Sequence, residues 1–190
     1  LGIGSMEEPG FLREAGIELP MYFDQGMYSW NHLAGAAMER YGADRLTIPV
    51  ELNEREIRDS GVQGEMIVYG YLPMMISAQC IRKTTLGCSG KPEVMWLKDR
   101  KDMRFPVVNQ CRFCYNTIYN SAPLSLLGLS EQVTGLKPNA VRLNFTVEEP
   151  AAAGEILDAF FEEYGMSEKA AEPPVLRNQF TRGHFKRGVE

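Results

Sequence analysis

Apolar residues recur at helical spacing over residues 6 to 15, behind Ser5-Met6-Glu7-Glu8. That tetrad is a capping box, in which the Ser5 hydroxyl and the Glu8 carboxylate each satisfy a free backbone N–H, and Gly16 supplies the stop. The period then shortens. Glu18 to Asp24 is a compact apolar run ending in a polar residue, which reads as a strand, and Ser29 opens a helix from Trp30 to Tyr41 that Gly42 closes. The alternation recurs with Arg45 to Val50 as a buried strand, Asn53-Glu54-Arg55-Glu56 capping a short helix that stops at Gly61, and Glu65 to Gly70 as a third strand. Asn139 to Thr146 is a fourth strand, followed by a helix from about Glu149 to Tyr164 with Gly165 as its stop.

Strands alternating with helices at this spacing predict an α/β fold with a parallel sheet. Four such units make half of a (β/α) TIM-type barrel or a small open sheet, and the half barrel is favoured if the chain is truncated, because a complete barrel takes about 250 residues and this chain has 190. Leu1-Gly2-Ile3-Gly4 reads as the end of a strand running into a helix start, so the expectation is an N-terminal truncation and a C-terminal half barrel. Half a barrel has two open sheet edges, which predicts either a missing N-terminal half or a homodimer partner. Cys80 to Leu127 lacks the helical period. Within it Val94 to Leu97, Arg104 to Val108 and Tyr115 to Asn120 read as short antiparallel strands. The expected division is therefore βα units over residues 1–79, a cysteine-rich insertion over 80–127, and a last βα unit with a basic tail over 128–190.

Composition sharpens this picture at three points. The chain is 44% apolar and 10% aromatic, enough for a sizeable core and against disorder. The longest uncharged run, Met66 to Ile81, is broken by Gly70 and Pro73 and falls short of the roughly 20 apolar residues that span a bilayer. With no signal peptide in view, the expected setting is the cytoplasm, without a membrane partner, where cysteines serve as ligands or catalysts more often than as disulfides. The net charge of −5 is uneven. Residues 82 to 112 hold eight Lys and Arg against three acids, and residues 177 to 190 hold four against one, leaving −13 on the remainder. Basic patches on an acidic body suit RNA or another anionic substrate, with Arg82, Lys83, Arg112 and Arg182 as candidate contacts, although a charge run is also what a solvated face looks like.

All four cysteines fall at Cys80-x7-Cys88-x22-Cys111-x2-Cys114. A Cys-x2-Cys pair brings two thiolates to one metal from a tight turn, and a second pair on a neighbouring loop completes a four-thiolate site. Zinc and an iron-sulfur cluster both accept such a set. Zinc sites use two short knuckles more often, and the seven-residue spacer favours a cluster. Unligated buried thiols are the plain alternative. Asp24 and Glu51 end predicted strands just before helices, the position of the catalytic rim in a (β/α) barrel, and are also where the helix dipole favours an acid. Only two histidines are present: His32 falls inside a helix, and His184 sits among glycine, aromatic and basic residues. No metalloprotease, serine-hydrolase, phosphate-loop or dinucleotide motif occurs. A Cys88–His184 protease pair would not explain three companion thiols.

The run Glu65-Met66-Ile67-Val68-Tyr69-Gly70-Tyr71-Leu72-Pro73-Met74-Met75 leading to Ser77-Ala78-Gln79-Cys80 resembles peptidase family U32. So do Pro49-Val50-Glu51-Leu52-Asn53, Cys111-Arg112-Phe113-Cys114 with Tyr119-Asn120-Ser121, and the tail from Thr181 to Glu190. The likeness covers nearly the whole chain and is to the C-terminal half of the family's barrel, in the large bacterial members labelled collagenase-like proteases. That label implies proteolysis. Characterised relatives imply instead an oxygen-independent hydroxylation of ribosomal RNA, transfer RNA or a quinone precursor, several with a [4Fe-4S] cluster and the RNA-acting ones with prephenate as hydroxyl source. On this resemblance Cys80, Cys88, Cys111 and Cys114 are cluster ligands. Their spacing matches the RNA-acting branch, since the quinone-pathway members spread their ligands more widely. Catalytic roles then fall to Glu51, Asp24 and His184, and substrate contact to Arg82, Lys83, Arg112, Arg182 and Asn120. Tyr22, Trp30 and Tyr115 are candidates for stacking a base. The competing readings are a peptidase and a zinc-stapled RNA-binding module without catalysis.

Overall fold

A computed structural model describes residues 1–165 and 179–188. The elements in chain order are β1 (Gly2–Ile3), α1 (Glu8–Glu14), β2 (Tyr22–Phe23), a 3-10 turn (Gln25–Met27), α2 (His32–Tyr41), β3 (Arg45–Leu46), α3 (Glu54–Ser60) and β4 (Glu65–Gly70). They continue with β5 (Pro73–Ser77), α4 (Ile81–Leu86), β6 (Val94–Lys98), β7 (Arg104–Gln110), β8 (Tyr115–Tyr119), β9 (Leu124–Ser125), α5 (Ser130–Gly135), β10 (Ala140–Asn144) and α6 (Pro150–Glu163). Among the described residues no helix is long and apolar enough to cross a membrane.

The chain folds as two compact units. Among the described residues the first comprises 1–68, 126–143 and 182–188, the second 69–125, 144–165 and 179–181. In the first, β1, β2 and β3 form a parallel sheet in that order, pairing Gly2 with Tyr22 and Tyr22 with Arg45. Their inward residues, Ile3, Phe23 and Leu46, are buried together with Met27, Met38 and Val62. Helix α2 packs there because Asn31 starts it, its side chain accepting from the N–H groups of Leu33 and Ala34, and Gly42 ends it at φ 117°. Helix α3 carries the predicted capping box: Asn53 accepts from Glu56 N–H at 2.9 Å and Glu56 accepts from Asn53 N–H at 2.8 Å.

The second unit is built on an antiparallel four-stranded sheet in the order β5-β8-β7-β6, with Val107 and, elsewhere in the unit, Leu124, Ile156, Ala159 and Phe160 buried. The expected antiparallel strands between residues 94 and 120 are thus present, as β6, β7 and β8.

The (β/α) TIM-type barrel, or C-terminal half barrel, expected from the alternation is not formed. The protein is mixed α/β with small sheets of three or four strands and no closed barrel among its described residues. The parallel ladders are two residues long, and only a single bridge, Thr47 to Glu65, continues them toward β4. Over Tyr69–Gly70, β4 pairs instead with β9, antiparallel, where a barrel needs a parallel neighbour. Gly70 stands at φ 150°, and a side chain there would collide with the backbone of Asn144. Two smaller corrections concern helix starts. The Ser5–Glu8 capping box is absent: Glu7 occupies the cap position without a side-chain bond, while Glu8 accepts from Gly4 N–H. Ser29 does not cap α2 but is buried, its hydroxyl donating to the Thr47 carbonyl.

Candidate functional site

Cys80 stands at the N-terminal end of α4 in extended conformation, and Cys88 follows Gly87, which ends that helix at φ 82°. Cys111 and Cys114 lie in the turn of the β7–β8 hairpin, closed by the pair Gln110–Tyr115. Within that turn Phe113 N–H donates to the Gln110 carbonyl, and Cys114 adopts φ 56°. The two thiols therefore leave a tight turn, as a Cys-x2-Cys ligand pair requires.

All four thiols are reduced, and they meet electrically at Cys111. Its thiol is pushed above the ordinary value by desolvation, then by the neighbouring Cys88, Cys80 and Cys114, against a lowering hydrogen bond with Ser89. At ligand range the arrangement is looser. Among the described residues no three His, Cys, Asp or Glu side chains are grouped tightly enough to hold an ion as they stand. Cys111 Sγ instead donates to the Lys91 carbonyl at 3.0 Å and accepts from Asn109 Nδ2 at 3.5 Å. The two observations describe one place at two ranges: four soft donors on two loop segments, chemically suited to zinc or an iron-sulfur cluster, with Cys111 turned to a carbonyl that it must release to ligate.

Two fully buried asparagines hold those loops. Asn109 and Asn116 are cross-strand partners on β7 and β8. Asn116 accepts from Ile81 N–H at 3.3 Å and donates to the Gln79 carbonyl at 2.6 Å, which pins the segment carrying Cys80. Asn109 accepts from Glu93 N–H and donates to the Lys91 carbonyl, pinning the segment after Cys88. Each amide satisfies backbone groups that would otherwise be orphaned beside the sheet.

The predicted basic contacts divide. Arg82 pairs with Glu93 at 2.7 Å and donates to the Gly87 carbonyl at 2.8 Å, and Ser89 joins the same carboxylate, so Arg82 braces the loop of Cys88. Lys83, one residue on, lines an open hollow of about 420 Å³ together with Gln79, Cys80, Thr84 and Cys114. At the hairpin turn Arg112 lies over the Phe113 ring at 5.4 Å, and Phe113 is 67% exposed and stacked with Tyr115 at 6.4 Å. Asn120 closes a local turn, accepting from Ser121 N–H while its own N–H donates to the Leu72 carbonyl.

The remaining candidates lie in the first unit. Asp24 accepts from Gln25 N–H and pairs with Arg142 at 2.6 Å, and Arg142 also lies 3.2 Å from Glu65. Glu51 Oε2 is buried without a hydrogen-bond partner. His184 Nδ1 lies 2.8 Å from the Gly188 carbonyl, which can only accept, so Nδ1 carries the proton. Arg182 donates to the Leu127 carbonyl at 2.6 Å. Of the proposed stacking residues, Tyr22 already carries Arg45 over its ring at 5.1 Å, and Trp30 is 42% exposed.

Sequence reasoning missed Asn109, Asn116 and the exposed ring of Phe113. The signal for the first two was an asparagine inside each of two neighbouring strands, where it is disfavoured unless its amide is used. A scan against protein-family models, a search of the curated proteins and a search of the solved structures each find no match to this chain.

Proposed function

We propose that the chain is an iron-sulfur protein acting on RNA, with Cys80, Cys88, Cys111 and Cys114 as the ligands of a [4Fe-4S] cluster. What supports this reading is the set of four loop-borne thiols, two of which, Cys80 and Cys114, line an exposed hollow together with Lys83. A cluster held by four protein thiolates supplies electron transfer or positioning. The chain's own residues supply the rest. Lys83 and Arg112 neutralise a phosphate or carboxylate, and Phe113, backed by Tyr115, offers a base a stacking face. The sequence likeness to peptidase family U32 extends the proposal to oxygen-independent hydroxylation of ribosomal or transfer RNA in the cytoplasm, with a prephenate-like hydroxyl donor.

Anaerobic purification with iron, sulfide and zinc analysis and a visible spectrum tests the cofactor. About four irons and four sulfides per chain are expected. A colourless protein with one zinc overturns the cluster and favours a zinc-stapled RNA-binding module, which the same thiols and the exposed Lys83, Arg112 and Phe113 support equally in donor chemistry. Mass spectrometry of RNA incubated with the loaded protein then separates a hydroxylase, which adds one oxygen, from a module that adds none. The peptidase reading rests on Glu51 and its unpartnered Oε2. Cleavage of denatured collagen that survives replacement of all four cysteines and disappears in Glu51→Gln favours it.

A further inference from the structure

Away from the thiols, the second unit contains a cavity of about 400 Å³, within the size range of small-molecule sites. Tyr69 of β4, Tyr71, Trp96 of β6 and Phe180 give it aromatic walls, and Glu148, Glu149 and Glu155 give it carboxylates. Among its described lining residues there is no Lys, Arg or His. The described lining thus carries three carboxylates and no cation, which disfavours the phosphates or carboxylates that Lys83 and Arg112 would attract.

Glu148 is its fixed point. Oε2 accepts from the backbone N–H groups of Thr146 at 2.6 Å and Val147 at 3.0 Å, which hold the carboxylate in place. Oε1 is buried and meets no donor at hydrogen-bond geometry, the Tyr69 phenol being the one side-chain donor that bears on this carboxylate, and only as the least of the influences on that phenol. A buried carboxylate oxygen so poorly supplied with donors is unfavourable, and a ligand bearing N–H groups relieves it. The charge reaches the surrounding phenols: burial first, then Glu148, pushes Tyr69 and Tyr71 up. Tyr69 is braced from behind by Phe145, with ring centroids 5.8 Å apart. Aromatic faces around a pinned carboxylate, with no cation among the described lining residues, form the environment in which an organic cation is held by charge and ring quadrupole together.

We propose that this cavity binds a small organic cation carrying an ammonium or guanidinium group, with its charge at Glu148 and its body against the rings of Tyr71 and Trp96. The proposal stands independently of what the four thiols hold.

Trp96 reports the site directly once the other tryptophan is removed by Trp30→Phe in the first unit. Titration of that variant with agmatine, read by fluorescence and calorimetry, is expected to give saturable one-to-one binding. Glu148→Gln is expected to weaken it at least about tenfold, the scale of one charge-assisted contact. Ala152→Trp, which places bulk in the cavity wall, is expected to abolish it. Circular dichroism checks that each variant folds; if Glu148→Gln does not, Glu155→Gln and Ala152→Trp carry the test. No saturable binding, unchanged affinity in Ala152→Trp, or equal binding of 1-pentanol or of cytidine overturns the proposal.

Discussion

In the first unit the ionisable residues marked for chemistry, Glu51 excepted, are tied into the scaffold. Asp24 is held by Arg142 and by Gln25 N–H, Arg182 by the Leu127 carbonyl and His184 by the Gly188 carbonyl. Around the thiols of the second unit, two neutral amides, Asn109 and Asn116, do most of the tying, while Lys83, Arg112 and Phe113 stay exposed. The physical difference is one of desolvation. A buried amide satisfies several backbone groups without taking a charge out of water, whereas a charge used as a brace is partly neutralised and no longer available to a ligand. Loops that leave thiols and cations exposed are better braced by asparagine than by arginine. Arg82, which braces the Cys88 loop, is the exception, and accordingly it is turned to Glu93.

The contrast predicts that each unit fails at a different kind of residue. Trp30 and Trp96 lie one in each unit, so Trp96→Phe and Trp30→Phe backgrounds report them separately. The largest expected effect is Phe23→Ala, which empties the most buried position of the first unit's apolar cluster, 1% exposed among Ile3, Met27 and Leu46. A loss of about 3–5 kcal/mol is expected from denaturant unfolding followed at Trp30. An equal shift at Trp96 would erase the distinction between the units as cooperative blocks.

Next comes Asn116→Ala. It removes an acceptor from Ile81 N–H and a donor from the Gln79 carbonyl at a fully buried position, so a loss of roughly 2–3 kcal/mol is expected at Trp96. Reconstituted iron content should fall with it, because the segment carrying Cys80 is released. Asn116→Asp keeps the acceptor and loses the donor, and should retain part of both. Full iron loading in Asn116→Ala would show that the thiols are positioned without the amide clamp.

What could be read in the sequence follows from how local each interaction is. The Asn53–Glu56 box, the Gly61 stop and β4 from Glu65 to Gly70 depend on neighbours within a few residues, and they stand as expected. The β6–β7–β8 strands showed as β-branched and aromatic runs in a stretch without the helical period. The barrel was not legible, because helix–strand alternation is the same whether ladders run long and parallel or, as at Tyr22–Phe23, for two residues before the partner strand reverses at Tyr69–Gly70. At the thiols, the Cys-x2-Cys turn showed in its spacing. The Asn109–Asn116 pair did not, because it exists only once the hairpin register sets the two side by side. For the same reason the partner of Arg82 was not legible: Glu93 lies eleven residues away, across a loop with no periodicity.

Arg142→Gln tests the first unit's use of charge. Arg142 bridges Asp24 at 2.6 Å and Glu65 at 3.2 Å, with side chains 29%, 46% and 19% exposed respectively for Arg142, Asp24 and Glu65. Asp24 regains water when the pair breaks, so only about 1 kcal/mol is expected at Trp30, less at high salt. A loss as large as that of Phe23→Ala would mean that the ion triad, not the apolar cluster, holds this unit.

The smallest effect vanishes at neutral pH and belongs to the second unit. Burial pushes up Tyr69, Tyr71, Tyr119 and Tyr164, the last to about 12 with a further push from Glu163. Tyr164 OH is buried without a hydrogen-bond partner, and its ring packs on Phe160 at 4.6 Å. The sign follows from proton counting. Above about pH 10 the unfolded chain releases phenolic protons that the folded unit keeps, so the unfolded state binds fewer protons and stability falls as pH rises, from about 10 through the raised values. Below pH 10 both states hold the proton and the groups contribute no slope. Midpoints of unfolding followed at Trp96 should therefore be flat in this respect up to pH 9 and drop between pH 10 and 12. Tyr164→Phe removes one of the four phenols and should make that drop shallower while leaving the neutral-pH midpoint nearly unchanged, since no hydrogen bond is lost. An identical alkaline slope in Tyr164→Phe would show that its phenol ionises as readily in the fold as out of it.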